Sequence, residues 1–156
     1  MEDRYLFKAK RIDKGEWVQG YLFDDGFENG KIFIGGLVIE EYNGTACDDW
    51  NITGIDFYEV DPSTICQCTG LKDKNGKLIW ESDVVKKEFY TDYDNCANSE
   101  EYIGIVKVAD CARLVENIRG KCTRSIFEAM SYWEDVKYFE VIGNVFDNPE
   151  LLEGGE

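Results

Sequence analysis

Through the first half of the chain, apolar and polar residues alternate with a period of two, and that pattern constrains the fold more than any other feature. Such a period puts successive side chains on opposite faces of an extended chain, so each run predicts a strand. RYLFKAKR and GEWVQGYLF read as two strands joined by the turn IDKG, a hairpin. DDGFENG is a turn-rich loop. KIFIGGLVIEE is a further strand, or a strand pair broken at Gly35-Gly36, where glycine marks a bulge or a close approach of backbones. NGTACDDWN reads as loop and IDFYEVD as a strand stopped by Pro62.

The second half continues the theme. Asn75-Gly76, between STICQCTGLKD and KLIWE, is the strongest short hairpin signal, since a type I′ turn needs positive φ at both central residues. ESDVVKKEF turns into another strand, while YIGIVKVAD and KYFEVIGNVF are strands in their own right. DYDNCANSEE reads as a polar loop, and CARLVENIRGKCTR fits either a helix or a hairpin turning at Arg119-Gly120. SIFEAMSYWEDV predicts one short amphipathic helix with Phe127, Met130 and Trp133 near one face, and DNPELL a turn after Pro149. Two prolines against 15 glycines suit short strands and glycine turns. The fold class is mainly β, in one domain over residues 1–156.

Charge and chemistry exclude more than they assign. Acidic residues number 32 against 17 basic, a net charge of -15, which repels nucleic-acid phosphates. Glu40 to Asp61 holds seven carboxylates and no cation; Glu128 to Glu156 holds eight carboxylates and Lys137 alone. No apolar run is long enough to span a membrane, and the charged start MEDRYLFKAKR is unlike a signal peptide. The expected location is therefore the cytoplasm, where the 6 cysteines are read as thiols and the sequons at Asn43 and Asn51 carry no weight. The chain has no histidine, which removes the usual general base, the Ser-His and Cys-His nucleophile pairs and the commonest metal ligand.

Cys66-Gln67-Cys68 lacks a second pair at matched spacing; as strand neighbours on one face, two packed thiols account for it. Asp92 to Glu101 fails as a calcium loop, with Ala97 where glycine is needed and Ile103 where glutamate is needed. No catalytic, cofactor or metal residue is nominated, and the chain is read as a non-enzyme. For a partner surface the candidates are Asp48, Asp49 and Trp50, an aromatic inside an acidic loop.

Three blocks in order, FKAKRIDKGEWVQGYL, CQCTGLKDKNGKLIWESDVV and EVIGNVFDNPELL, resemble those of the YopX family, proteins encoded by bacteriophages and prophages. The resemblance implies a β-rich fold with a small SH3-like barrel and no established activity. On that basis residues 1–61 are expected as an N-terminal β extension and 62–150 as the barrel region. The motif positions that carry over are Gln67, Thr69, Gly70, Leu71, Asp73, Asn75, Gly76, Asp83, Gly143, Asn144 and Pro149. Those between Thr69 and Asp83 have structural tasks in view: Gly70 and Gly76 for backbone freedom, Asn75 to start the turn, Leu71 for the core, Asp83 to bond backbone N–H groups in a turn. The family carries glycine and an aromatic at the positions of Cys66 and Cys68, which argues against ligation there. It also carries glycine at Ser82, so this turn either takes positive φ at about 1 kcal/mol or adopts an ordinary conformation.

The leading expectation is a phage-encoded β-barrel module that binds a host or phage protein, with self-association left open. The alternative is an acidic DNA mimic that blocks a host nucleic-acid enzyme, favoured by the two acid-rich segments.

Overall fold

The structure, a computed structural model, describes residues 5–28, 30–41, 50–91, 98–109, 112–119, 127–129 and 138–153. These residues form β1 (Phe7–Lys10), β2 (Trp17–Asp24), β3 (Ile32–Glu41), β4 (Trp50–Glu59), β5 (Cys66–Lys72), β6 (Leu78–Trp80), β7 (Asp83–Thr91), β8 (Asn98–Ala109), β9 (Ala112–Arg119), β10 (Phe127–Ala129) and β11 (Phe139–Asn144). Single 3-10 turns stand at Pro62–Thr64 and Pro149–Leu151. Two compact units divide the chain, Tyr5–Cys66 and Gln67–Glu156.

In the first unit β1 to β4 form an antiparallel meander in chain order. The first half of β2 pairs with β1 (Lys10 opposite Trp17, Phe7 opposite Gly20), and its second half pairs with β3 (Tyr21 opposite Gly35, Asp24 opposite Ile32). The change of neighbour falls at Gly20, where a Cβ would stand 2.5 Å from the Gly35 carbonyl oxygen. Gly35 in turn faces β4 so closely that a Cβ there would collide with the Asp56 carbonyl. The anticipated close approach is thus found at Gly35, β3 runs unbroken through both glycines, and its register shift comes later, between Val38 and Ile39. After β4 the chain returns to β1: Val60 bridges Arg11, and the Asp61 N–H donates to Lys10 O at 2.9 Å. Asp61 caps the following turn by accepting the Ser63 N–H at 2.9 Å, and the Lys10 N–H donates to Thr64 Oγ1 at 2.9 Å. Ala9, Ile34 and Val60 are buried there, with Phe7, Val18, Ile32 and Ile65 packed around them.

In the second unit the sheet order is β10-β9-β8-β7-β11, all antiparallel. Val85, Val106, Val115 and Phe139 share one face by register, and Ile79 and Leu71 of the β5–β6 hairpin join them in the core. Each fully buried valine or isoleucine here contributes about 1.5–3 kcal/mol.

The described strands form two antiparallel sheets and no closed barrel, and the outer edge of β11 meets the turn after β5, through the Lys74 N–H to Phe139 O at 2.9 Å. Three expectations need correction. Of the helix expected over Ser125 to Val136, the described residues Phe127–Ala129 are β10, paired with Leu114 to Glu116 of β9, so ladder bonds replace the helical spacing. Asn98 to Glu101, read as loop, belong to β8 because the β7 register continues to Thr91 opposite Asn98. Trp50 opens β4 opposite Glu41 rather than sitting within a loop.

Candidate functional site

Two places concentrate chemistry or surface: the corner built around Asp73, and one face of β2, β3 and β4. The corner begins at the hairpin between β5 and β6. Asp73 N–H donates to Lys77 O at 2.8 Å, Gly76 N–H donates to Asp73 O at 2.9 Å, and Gly76 has φ +79°. Asn75 is not among the positive-φ residues, so the turn is a type I turn closed by a left-handed glycine, not the type I′ turn read from Asn75-Gly76. The Asp73 carboxylate selects it: Oδ1 accepts the Asn75 N–H at 2.8 Å and the Lys77 N–H at 2.9 Å. Its Oδ2 accepts the Val141 N–H of β11 at 3.1 Å, tying the turn to a strand 68 residues on. Burial alone would push this carboxyl up, but the N–H groups of Val141, Lys77 and Asn75 and the nearby Lys77 charge hold it below the ordinary carboxylate value. Lys74 adds an ion pair to Glu140 at 2.6 Å.

The neighbouring motif residues are engaged in the same way. Thr69 is buried, donating to Ile79 O at 2.7 Å and accepting the Leu71 N–H at 3.2 Å. Gly70 has φ +73° inside the register shift between Cys68 and Lys72, and the Gln67 carbonyl accepts the Glu81 N–H at 2.9 Å. Asp83 is buried and accepts the Trp80 N–H at 2.9 Å. Ser82 between them takes φ +63°, the first of the two conformations weighed from the sequence, held by Ser82 N–H to Val106 O at 2.8 Å and Val145 N–H to Ser82 O at 3.0 Å. At the end of β11, Asn144 Oδ1 accepts the Phe146 and Asp147 N–H groups, both at 2.9 Å. A Cβ on Gly143 would stand 2.6 Å from Asn148 Oδ1, and Pro149 opens the last 3-10 turn. The carboxylates and hydroxyls of this corner are held by backbone partners and organise the chain.

The Cys66 and Cys68 thiols are buried, with Cys66 Sγ–H donating to Thr64 O at 3.4 Å and Cys68 Sγ accepting the Gly70 N–H at 3.5 Å. Among the described residues no cluster of three or more Cys or carboxylate groups is placed to hold a metal.

The second place is open. Tyr21, Phe23, Phe33, Leu37, Ile55 and Phe57 share one face by register, since Tyr21 and Phe57 both stand opposite Gly35, Phe23 opposite Phe33 and Leu37 opposite Ile55. Leu37 and Ile55 are 57% and 58% exposed, and Tyr21, Phe23 and Phe57 are also exposed. The Phe23 and Phe57 rings meet edge to face with centroids 4.8 Å apart. The opposite face carries the buried Ile34. At the hairpin end Lys31 pairs with Glu59 at 2.8 Å.

Asp48 and Asp49, nominated from sequence, lie outside the described residues. The six residues of the open face were not nominated. Their signal is that Phe33-Ile34 and Leu37-Val38 are adjacent apolar pairs, so β3 is apolar on both faces in a sheet whose core is served by one.

Together these features define an antiparallel β protein with a backbone-locked corner and an uncovered aromatic sheet face. The chain belongs to the YopX family, whose model, described as YopX protein, matches residues 7–153, nearly all of its length. No curated protein matches it.

Proposed function

We propose that this YopX-family chain is a phage- or prophage-encoded, non-enzymatic protein-binding module acting in the cytoplasm of a bacterial host. The observation that carries the reading is the exposed face of Tyr21, Phe23, Leu37, Ile55 and Phe57. Apolar patches of this kind, rich in aromatic anchors, characterise surfaces that bury themselves against another protein. The absence of histidine from the sequence fits the same reading. Affinity capture of the tagged chain beside its Phe23→Asp/Phe57→Asp variant, washed at low and high salt, tests it. The module reading requires a protein that survives high salt on the parent chain and is absent from the variant. The same proteins on both chains would refute it.

A DNA-mimic reading is favoured by the net charge of -15 and the cation-free segment from Glu40 to Asp61. Among the described residues three of those seven carboxylates have internal partners, Asp56 with the Tyr58 O–H, Glu59 with Lys31 and Asp61 with the Ser63 N–H. That reading requires capture of a nucleic-acid enzyme lost at high salt from parent and variant alike.

A further inference from the structure

Beside the open face, β4 presents an open edge. It is the terminal strand of its sheet, with β3 on one side. The pairing pattern fixes which backbone groups point outward. Val60 N–H donates to Ile32 O, so Val60, Tyr58 and Asp56 direct their backbone groups toward β3, and the alternate residues direct theirs away. Glu59 confirms the phase, because its carbonyl accepts the Ile12 N–H at 3.1 Å from outside the β3–β4 pair. By the same alternation the N–H and C=O groups of Ile55 and Phe57 face outward, and among the described residues no backbone bond beyond the β3 ladder reaches them.

Edges are ordinarily blunted by lysine, proline, a bulge or a covering segment. From Gly54 to Tyr58 this one has no lysine or proline, and its register with β3 is regular. The edge is also chemically two-sided. Ile55 and Phe57 stand exposed on one face, and Asp56 stands exposed on the other.

We infer that the β4 edge between Gly54 and Tyr58 receives an extended segment of a partner protein as an added strand, with apolar side chains at alternate positions and Lys or Arg between them. Apolar residues of the added strand lie beside Ile55 and Phe57; basic residues lie beside Asp56, in a stretch that has no cation of its own from Glu40 to Asp61. The same charge disfavours a second copy as occupant, because pairing β4 with β4 would bring two cation-free acidic hairpins together. The inference rests on the protein-binding reading and names its site and the partner's chemistry.

The test selects random linear peptides on the immobilised full chain and measures the affinity of the enriched peptides for two variants. Ile55→Ser removes the apolar side chain and keeps the outward N–H. Ile55→Pro removes both, while the β3 ladder, which does not use that N–H, stays intact. Circular dichroism of both variants establishes that they remain folded; if Ile55→Pro is unfolded, a peptide with alternate backbone amides N-methylated serves in its place against the parent chain. The expected result is enrichment of alternating apolar and Lys/Arg peptides that bind Ile55→Pro about tenfold more weakly than Ile55→Ser. Equal binding to the two variants overturns edge addition but leaves the protein-binding reading standing. Enrichment of acidic or uncharged peptides overturns the charge assignment. A dimer in light scattering that Ile55→Pro disperses makes a second copy the occupant and also overturns the inference. Absence of any enriched peptide overturns it too, and the capture experiment above then decides separately whether a folded partner binds elsewhere.

Discussion

Replacing Asp73 by alanine isolates what holds the second unit's corner together. The side chain accepts three backbone N–H groups, from Asn75, Lys77 and Val141. Hydrogen bonds to a charged acceptor contribute about 1.5–3 kcal/mol each, and water replaces part of that at the exposed residues 75 and 77. Taking about 1 kcal/mol for each turn bond and about 1.5–2 for the bond to β11 gives a loss of about 3.5–4 kcal/mol, a large share of an ordinary domain's 5–15. Asp73→Asn keeps one acceptor oxygen for the turn and opposes its amide to the Val141 N–H, so the expected loss is about 2 kcal/mol. Urea unfolding followed by tryptophan fluorescence reports on this unit through the buried Trp80, and the midpoint should fall with the slope unchanged. Acid supplies a second axis. Because the folded carboxyl sits below its ordinary value, its stabilisation is complete above the unfolded carboxylate pKa and disappears as pH falls through the lower folded one. The gap between parent and Asp73→Asn should therefore narrow in strong acid. A loss below about 1 kcal/mol for Asp73→Ala at neutral pH, or a gap that stays constant into acid, would refute the reasoning.

Four further substitutions test other joints of the fold. Gly35→Ala drives a methyl into the Asp56 carbonyl and should cost about 3 kcal/mol or more, while Gly36→Ala, whose Cβ would meet only Tyr21 Cδ2 at 4.0 Å, should stay within about 0.5; thermal unfolding of the pair checks this. Ser82→Gly relieves a φ of +63° and should raise stability by about 0.5–1 kcal/mol in the same urea assay; a loss would show that Ser82 is not strained. Thr69→Val leaves the Ile79 carbonyl and the Leu71 N–H without their hydroxyl partner, and should cost about 1.5–2 kcal/mol with slower folding or faster unfolding read by stopped flow.

Much of this architecture is legible in the chain because it is local. Alternation places β1, β2, the second half of β4 and most of β8, and the DKNG stretch marks its hairpin whichever turn type it adopts. What local pattern does not carry is partnership. The turn type followed from a carboxylate that reaches Val141, 68 residues away, and that same turn, not a neighbouring strand, meets the outer edge of β11 among the described residues. At Phe127–Ala129, the described part of the expected helix, pairing with β9 is a tertiary choice that overrides a short amphipathic period. The open face escaped notice for a related reason. Sequence identifies Phe33, Leu37, Ile55 and Phe57 as apolar strand residues, but only register shows that they lie on the side away from Ile34.

The most direct measurement installs a photo-crosslinking residue at Phe23 or at Leu37, with Lys14 in the exposed β1–β2 turn as control, and irradiates living cells that express the chain. The account predicts a protein adduct of one size from Phe23 and from Leu37 and none from Lys14. Adducts of equal yield from all three positions, or none from any, would contradict the claim that this sheet face is where the protein meets its partner.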